Sequence, residues 1–167
     1  MNRAFVFGND IDTDALAPGQ YMAGGIEVLA QHCLEAVDPD FASSVRPGDV
    51  IVAGKNFGMG SSREQAAQAL KHLGLAGIVA RSFAGIFQRN AINLGLPVFV
   101  GGDELSAIQA GDAVTLDVRQ SRLMTRKGDI ELEPLPDFLI DMIADGGLVP
   151  HLEKRFARTR ANRGEQQ

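Results

Sequence analysis

Apolar residues fall into short continuous runs separated by stretches of helical spacing. Residues 3–7 (RAFVF) read as a strand. Residues 26–36 put Ile26, Leu29, Ala30, Cys33 and Leu34 on one helical face, and Asp38-Pro39 stops that helix. Arg46-Pro47-Gly48-Asp49 is a turn that delivers a strand over 49–54. A helix follows over 62–73 and ends at Gly74, and 75–81 is a continuous apolar run, the mark of a strand buried on both faces. Residues 82–93 read as a helix with Ser82 as N-cap and Gly95 as its stop, and 96–100 as another buried strand. The middle is therefore β-loop-α-β-α-β, which predicts a parallel or mixed sheet with helical cover. Beyond it, 113–118 alternates, and RLMTR and GDIELEPLP continue into a β-meander. Residues 136–147 form a short helix closed by glycines. We expect one α/β domain over 1–152 and a polar, basic, frayed tail over 153–167.

Two segments carry the candidate chemistry. In GMGSSREQ (58–65) a strand ends, two glycines allow a tight turn, and a helix opens behind two serines. Ser61-Ser62-Arg63-Glu64 fits a capping box. Helix N-termini present free N–H groups and a partial positive charge, and Arg63 adds a fork of donors suited to a carboxylate. This is either an anion site faced by a serine oxygen or an ordinary capped helix with a surface Arg. The Arg after GMGSS breaks a dinucleotide fingerprint, and GKNFGMGSS lacks the ending of a P-loop. The second segment is the long loop GNDIDTDALAPGQYMAGG, of a length that is usually functional or mobile. Counted as a calcium loop from Asp10, it has Ala15 at the Gly position and Tyr21 at the bidentate Glu position, so that reading fails. Its acids orient arginines or their own backbone, or are solvated turn residues. Arg89 and Asn90 face either the same cleft as Arg63 or solvent. His32, His72 and His151 have no metal spacing and read as helix-face residues.

Composition narrows the class. The 167 residues are 45% hydrophobic and 22% charged, which are globular values. A net charge of -5 argues against a nucleic-acid binder relying on positive charge. No apolar run approaches a membrane span, and the N-terminus lacks the pattern of a signal peptide, so the cytoplasm is the expected location. One cysteine, Cys33, excludes an internal disulfide and any cysteine-only metal or iron–sulfur site within one chain.

NDIDTDALAPGQY (9–21), RPGDVIVAGKNFGMGSSREQA (46–66), IVARSFAGIFQRNAINLGLPV (78–98) and LEPLPDFLIDMIADGGLV (132–149) together resemble the small subunits of 3-isopropylmalate dehydratase. These are the separate swivelling domain of the aconitase superfamily. The resemblance implies a swivelling β/β/α domain, a mixed sheet with flanking helices. It implies a large-subunit partner, in a heterodimer or heterotetramer, that holds a [4Fe–4S] cluster on three cysteines; this chain binds no cofactor or metal itself. It implies isomerisation of 2- and 3-isopropylmalate by dehydration and rehydration, a step of leucine biosynthesis. By resemblance Ser61 is the catalytic base, and Ser62 and Arg63 bind a substrate carboxylate. Tyr21, Met22, Ala23 and Gly24 belong to the loop to which substrate selection is attributed. Tricarboxylate-using relatives carry an Arg that aligns with Ala23, so the resemblance favours a malate with an apolar branch. Methylmalate, dimethylmalate or homoaconitate dehydratases are the alternatives, with a non-catalytic anion-binding module behind them. Relatives usually read GCGSSREH; Met59 and Gln65 depart from that pattern.

Overall fold

The computed structural model describes residues 1–165. Four strands, β1 (Asn2–Val6), β2 (Val50–Ala53), β3 (Gly77–Ala80) and β4 (Val98–Val100), pair in parallel. Three more, β5 (Ala113–Asp117), β6 (Arg122–Thr125) and β7 (Gly128–Glu131), form an antiparallel meander that joins β1. The strand order is β4-β3-β2-β1-β5-β6-β7, a mixed sheet of the kind the sequence predicted. The helices are α1 (Thr13–Leu16), α2 (Gly25–Gln31), α3 (Phe41–Ser44), α4 (Glu64–His72), α5 (Gly85–Asn93), α6 (Asp137–Ala144) and α7 (Leu148–Gly164).

Every residue of β2 and β3 is buried, because both sheet faces are covered. Side chains alternate along a strand. Ile51, Ala53, Ile78, Ala80 and Val98 therefore pack with the helical residues Leu29, Ala66, Leu70 and Phe87. Val50, Val52, Val79 and Phe99 pack on the other face with Val114, Leu123 and Leu132. The meander curls over that second face. Neighbouring strands lie about 4.8 Å apart, so β5, three places from β3, would stand roughly 14 Å away in a flat sheet. Instead, a Cβ at Gly77 in β3 would lie 2.5 Å from Leu116 Cδ2 in β5. The same Cβ would lie 2.7 Å from the backbone oxygen of Pro97, which cannot swing aside as a leucine tip can, so only glycine fits there. Buried Asp49 ties the sheet to the preceding turn by accepting the Arg3 N–H at 2.9 Å and the Arg46 N–H at 2.8 Å.

Local readings shift in four places. The helix expected over 26–36 ends at Gln31, although Cys33 and Leu34 remain buried in turns beyond it. The helices expected from 62 and 82 begin at Glu64 and Gly85, with neither Ser61 nor Ser82 as cap. The tail expected to fray is helical to Gly164, since 151–163 holds good helix formers and no Gly or Pro; the last two residues of that expectation lie outside the described ones. None of the residues of α7 is buried. No helix among the described residues is long and apolar enough to cross a membrane.

Candidate functional site

Loops following β1, β2 and β3 meet at the carboxyl ends of the parallel strands, where open α/β sheets bind ligands. After β1, the Asp10 N–H donates to Lys55 O at 2.8 Å. Asn9 Oδ1 accepts the Lys55 N–H at 2.8 Å, and Asn56 Nδ2 donates to Asp10 Oδ1 at 2.9 Å. Asp10 (φ 59°) and Asn56 (φ 61°) both occupy the left-handed region, which Asp and Asn tolerate better than other side chains. The loop after β3 closes from the other side. Ser82 Oγ accepts the Asn56 N–H at 2.8 Å, and Phe57 exchanges backbone bonds with Ser82 and Ala84. Beneath them Phe57, Phe83 and Phe87 form an aromatic cluster, Phe57 meeting Phe87 edge-on at 5.3 Å.

The segment from Gly58 to Arg63 is thus clasped between two neighbouring loops. Gly58 N–H donates to Ile11 O at 2.7 Å, and Thr13 N–H to Met59 O at 2.8 Å. Ser61 and Ser62 are exposed. Ser61 Oγ shares a hydrogen bond of 3.1 Å with the hydroxyl of Thr13, which is 2% exposed. The capping box expected here does not form: Arg63 is the N-cap of α4, and no side chain caps the helix. The first-turn N–H groups of a nine-residue helix are thereby left without a side-chain partner.

Arg63 is fixed by the acidic loop. Nη1 pairs with Asp14 and donates to Ala17 O at 3.2 Å. Nη2 would lie 4.0 Å from a Cβ at Gly19, the first residue of a 3-10 turn, Gly19–Gly24. Of the acids whose role was open, Asp12 caps α1 by accepting the Ala15 N–H at 2.8 Å, and Asp14 pairs with Arg63. The 3-10 turn carries the other predicted residues. Tyr21 and Met22 are half-buried against the helical core, while Ala23 and Gly24 are exposed. Tyr21 stacks on His32 at 3.5 Å and 6°, and His32 Nδ1 bonds Glu35 at 2.7 Å. Among the described residues no hydrogen bond links this turn to Ser61.

The structure therefore joins Ser61, Arg63 and the acidic loop directly, and reaches the Tyr21 turn through Arg63. Arg89 is not part of this arrangement; it lines a separate cleft with Gln88, Pro136 and Leu139. A cavity of about 580 Å³ lies between Ile108 and the β6–β7 hairpin, and no predicted site residue lines it. Its lining carries both signs of charge, Glu104, Asp112 and Asp129 with Arg126 and Lys127. Thr13, and the stacking of His32 on Tyr21, went unread in the sequence. The one signal for Thr13 is its place in DIDTD. Among the described residues no group of three His, Cys, Asp or Glu is arranged to hold a metal. Cys33, 0% exposed, has its thiol pushed far above the ordinary range by burial.

Comparison with known proteins carries the same segments outward. A family model described as the aconitase C-terminal domain matches residues 19–99. The chain is 47% identical over 158 residues to the 3-isopropylmalate dehydratase small subunit of Moorella thermoacetica, covering 93% of this chain and 95% of that one. It is also 47% identical over 155 residues to the methanogen homoaconitase small subunit of Methanothermobacter thermautotrophicus, covering 91% and 89%. The crystal structure of 3-isopropylmalate dehydratase (leuD) from Methanocaldococcus jannaschii superposes with a TM-score of 0.89 at 41% identity, over 96% of this chain and 97% of that one. With sequence and fold matched nearly end to end, the chain belongs to the family of 3-isopropylmalate dehydratase small subunits.

Proposed function

We propose that this chain is the small subunit of a cytoplasmic, two-subunit hydro-lyase that interconverts 2- and 3-isopropylmalate in leucine biosynthesis. The observation that carries the reading is the exposed Ser61, held at the rim of the sheet beside an arginine that is already oriented. An exposed serine beside a half-buried arginine is half of a site, and a large subunit docking over them supplies the other half. The residues of this chain do not fit a [4Fe–4S] cluster, because its one cysteine is buried. We place the cluster on the large subunit, where it supplies Lewis-acid chemistry at the substrate hydroxyl.

What remains for this chain is proton transfer and binding. Ser61 Oγ takes the proton from the carbon next to the one bearing the hydroxyl, and returns it during rehydration. Ser62 and the uncapped N–H groups of α4 hold one carboxylate. Asp14 and Ala17 O engage Arg63 Nη1, and Nη2 and Nε are the donors that remain for a substrate carboxylate. Exposed Ala23 and Gly24 offer no cation for a third carboxylate, which favours an apolar branch over a homoaconitate-type substrate. Methylmalate and dimethylmalate satisfy the same surface.

The test is reconstitution with the cognate large subunit. Ser61→Ala should assemble normally and lose on the order of 10²-fold or more in kcat. A variant within a few-fold of wild type would remove Ser61 from the base role. Activity of the small subunit alone would overturn the two-subunit reading.

A further inference from the structure

We infer that Thr13 is a positioning residue for Ser61 and controls how readily that serine holds a negative charge; the inference rests on the reading of Ser61 as the base. Thr13 is 2% exposed, and Ser61 Oγ is the one hydrogen-bond partner of its hydroxyl among the described residues. Its placement is fixed independently of Ser61. Thr13 N–H donates to Met59 O at 2.8 Å, and Thr13 O accepts the Ala17 N–H at 2.8 Å. Gly60 keeps the space beside the hydroxyl open, since a Cβ there would lie 3.1 Å from Thr13 Oγ1. The Thr13 backbone is thus held by two hydrogen bonds, and its buried hydroxyl meets a single side chain, the exposed Ser61.

The chemistry gives the contact a direction. When Ser61 loses its proton to solvent, its oxygen has no hydrogen to donate and the Thr13 O–H becomes the donor. A hydrogen bond to the charged form favours that form, so Thr13 lowers the serine pKa. In the forward step the substrate C–H bond breaks and the proton moves to Ser61 Oγ. The electron pair forms the C=C bond as the hydroxyl departs. Thr13 keeps its own proton throughout, turning from donor to either role once Ser61 is neutral again. It touches neither substrate nor cofactor.

The experiment compares Thr13→Val, which keeps the shape and removes the hydroxyl, with Thr13→Ser, which keeps the hydroxyl, in the reconstituted enzyme. Loss of a hydrogen bond to a charged group lowers kcat about 10- to 100-fold in Thr13→Val. KM stays within about twofold and the rise of kcat with pH moves to higher pH, while Thr13→Ser stays within about threefold of wild type. Adding Thr13→Val to Ser61→Ala brings no further loss. An unchanged pH profile in Thr13→Val, or Thr13→Ser as poor as Thr13→Val, overturns the inference. Where Thr13→Val does not assemble, Thr13→Ala is read by the same pH profile and the same criterion. If Ser61→Ala remains active, the base assignment itself falls. If Ser61→Ala is inactive while Thr13→Val matches wild type, the positioning role alone falls.

Discussion

Gly58→Ala tests whether the Ser61 loop is held by the aromatic cluster beneath it. Gly58 sits at φ +83°, and a Cβ there would lie 2.2 Å from Phe87 Cγ and 2.4 Å from Phe87 Cβ. Two costs follow. Forcing a side chain into the left-handed region costs about 1–2 kcal/mol. Phe87, 3% exposed and edge-on to Phe57, must shift within a packed cluster, a further cost of about 1–3 kcal/mol. The sum is about 2–5 kcal/mol. At roughly 2–4 °C per kcal/mol for a protein of this size, Tm falls by about 4–20 °C. The loop also loses register, because the Gly58 N–H bond to Ile11 O and the Met59 O bond to Thr13 sit on either side of the displacement. Thermal unfolding followed by circular dichroism measures the first effect, and kcat of the reconstituted enzyme the second. Gly85→Ala is the control, since nothing lies within 4 Å of a Cβ there and its φ is not in the left-handed region. A Gly58→Ala Tm within about 2 °C of both wild type and Gly85→Ala would refute the reasoning: the aromatic cluster would then yield freely and could not be what fixes the loop.

Ala23→Arg should shift the kcat/KM ratio from isopropylmalate towards homoaconitate-type tricarboxylates, because it supplies the cation that the exposed turn lacks. In the wild type, branched malates should lead by about 10²-fold, and equal turnover of both classes would show that the turn does not select substrate. Cys33 should resist a thiol reagent at pH 8 in the folded protein and react fully on unfolding, since burial raises its pKa and blocks access; rapid native labelling would contradict this packing. Asp145 has its carboxyl held below the usual range by hydrogen bonds from Lys154 and His151. A depressed carboxylate contributes stability above its unfolded pKa and loses it as pH falls through the folded one. The Tm gap between wild type and Asp145→Asn should accordingly narrow in acid, and a gap independent of pH would count against the ion pair.

How much of this was legible depends on whether a residue answers to its neighbours in sequence or to distant ones. The apolar runs at 75–81 and 96–100 are strands because burial on both faces leaves no alternation to read, and continuous Ile, Val and Ala satisfy it. The curl that brings Leu116 onto Gly77 was not legible, because it depends on strand order rather than on strand composition. The serines are more instructive. Both Ser61 and Ser82 precede a helix and read locally as caps, and neither caps one. Each oxygen is engaged across the fold instead, Ser82 with the Asn56 N–H and Ser61 with Thr13, over sequence separations of 26 and 48. Arg63 departs in the same way, held by Asp14 at a separation of 49 rather than lying along its own helix. These exceptions to the local rule sit on the loop after β2 or against it. A chain that leaves a helix uncapped gives up about 1 kcal/mol. Where it does so while placing the available hydroxyls on a neighbouring loop, the geometry of that loop is what the residues maintain. Local misfit therefore points to the same rim that the exposed Ser61 and the oriented Arg63 mark out, and it does so from hydrogen bonding alone.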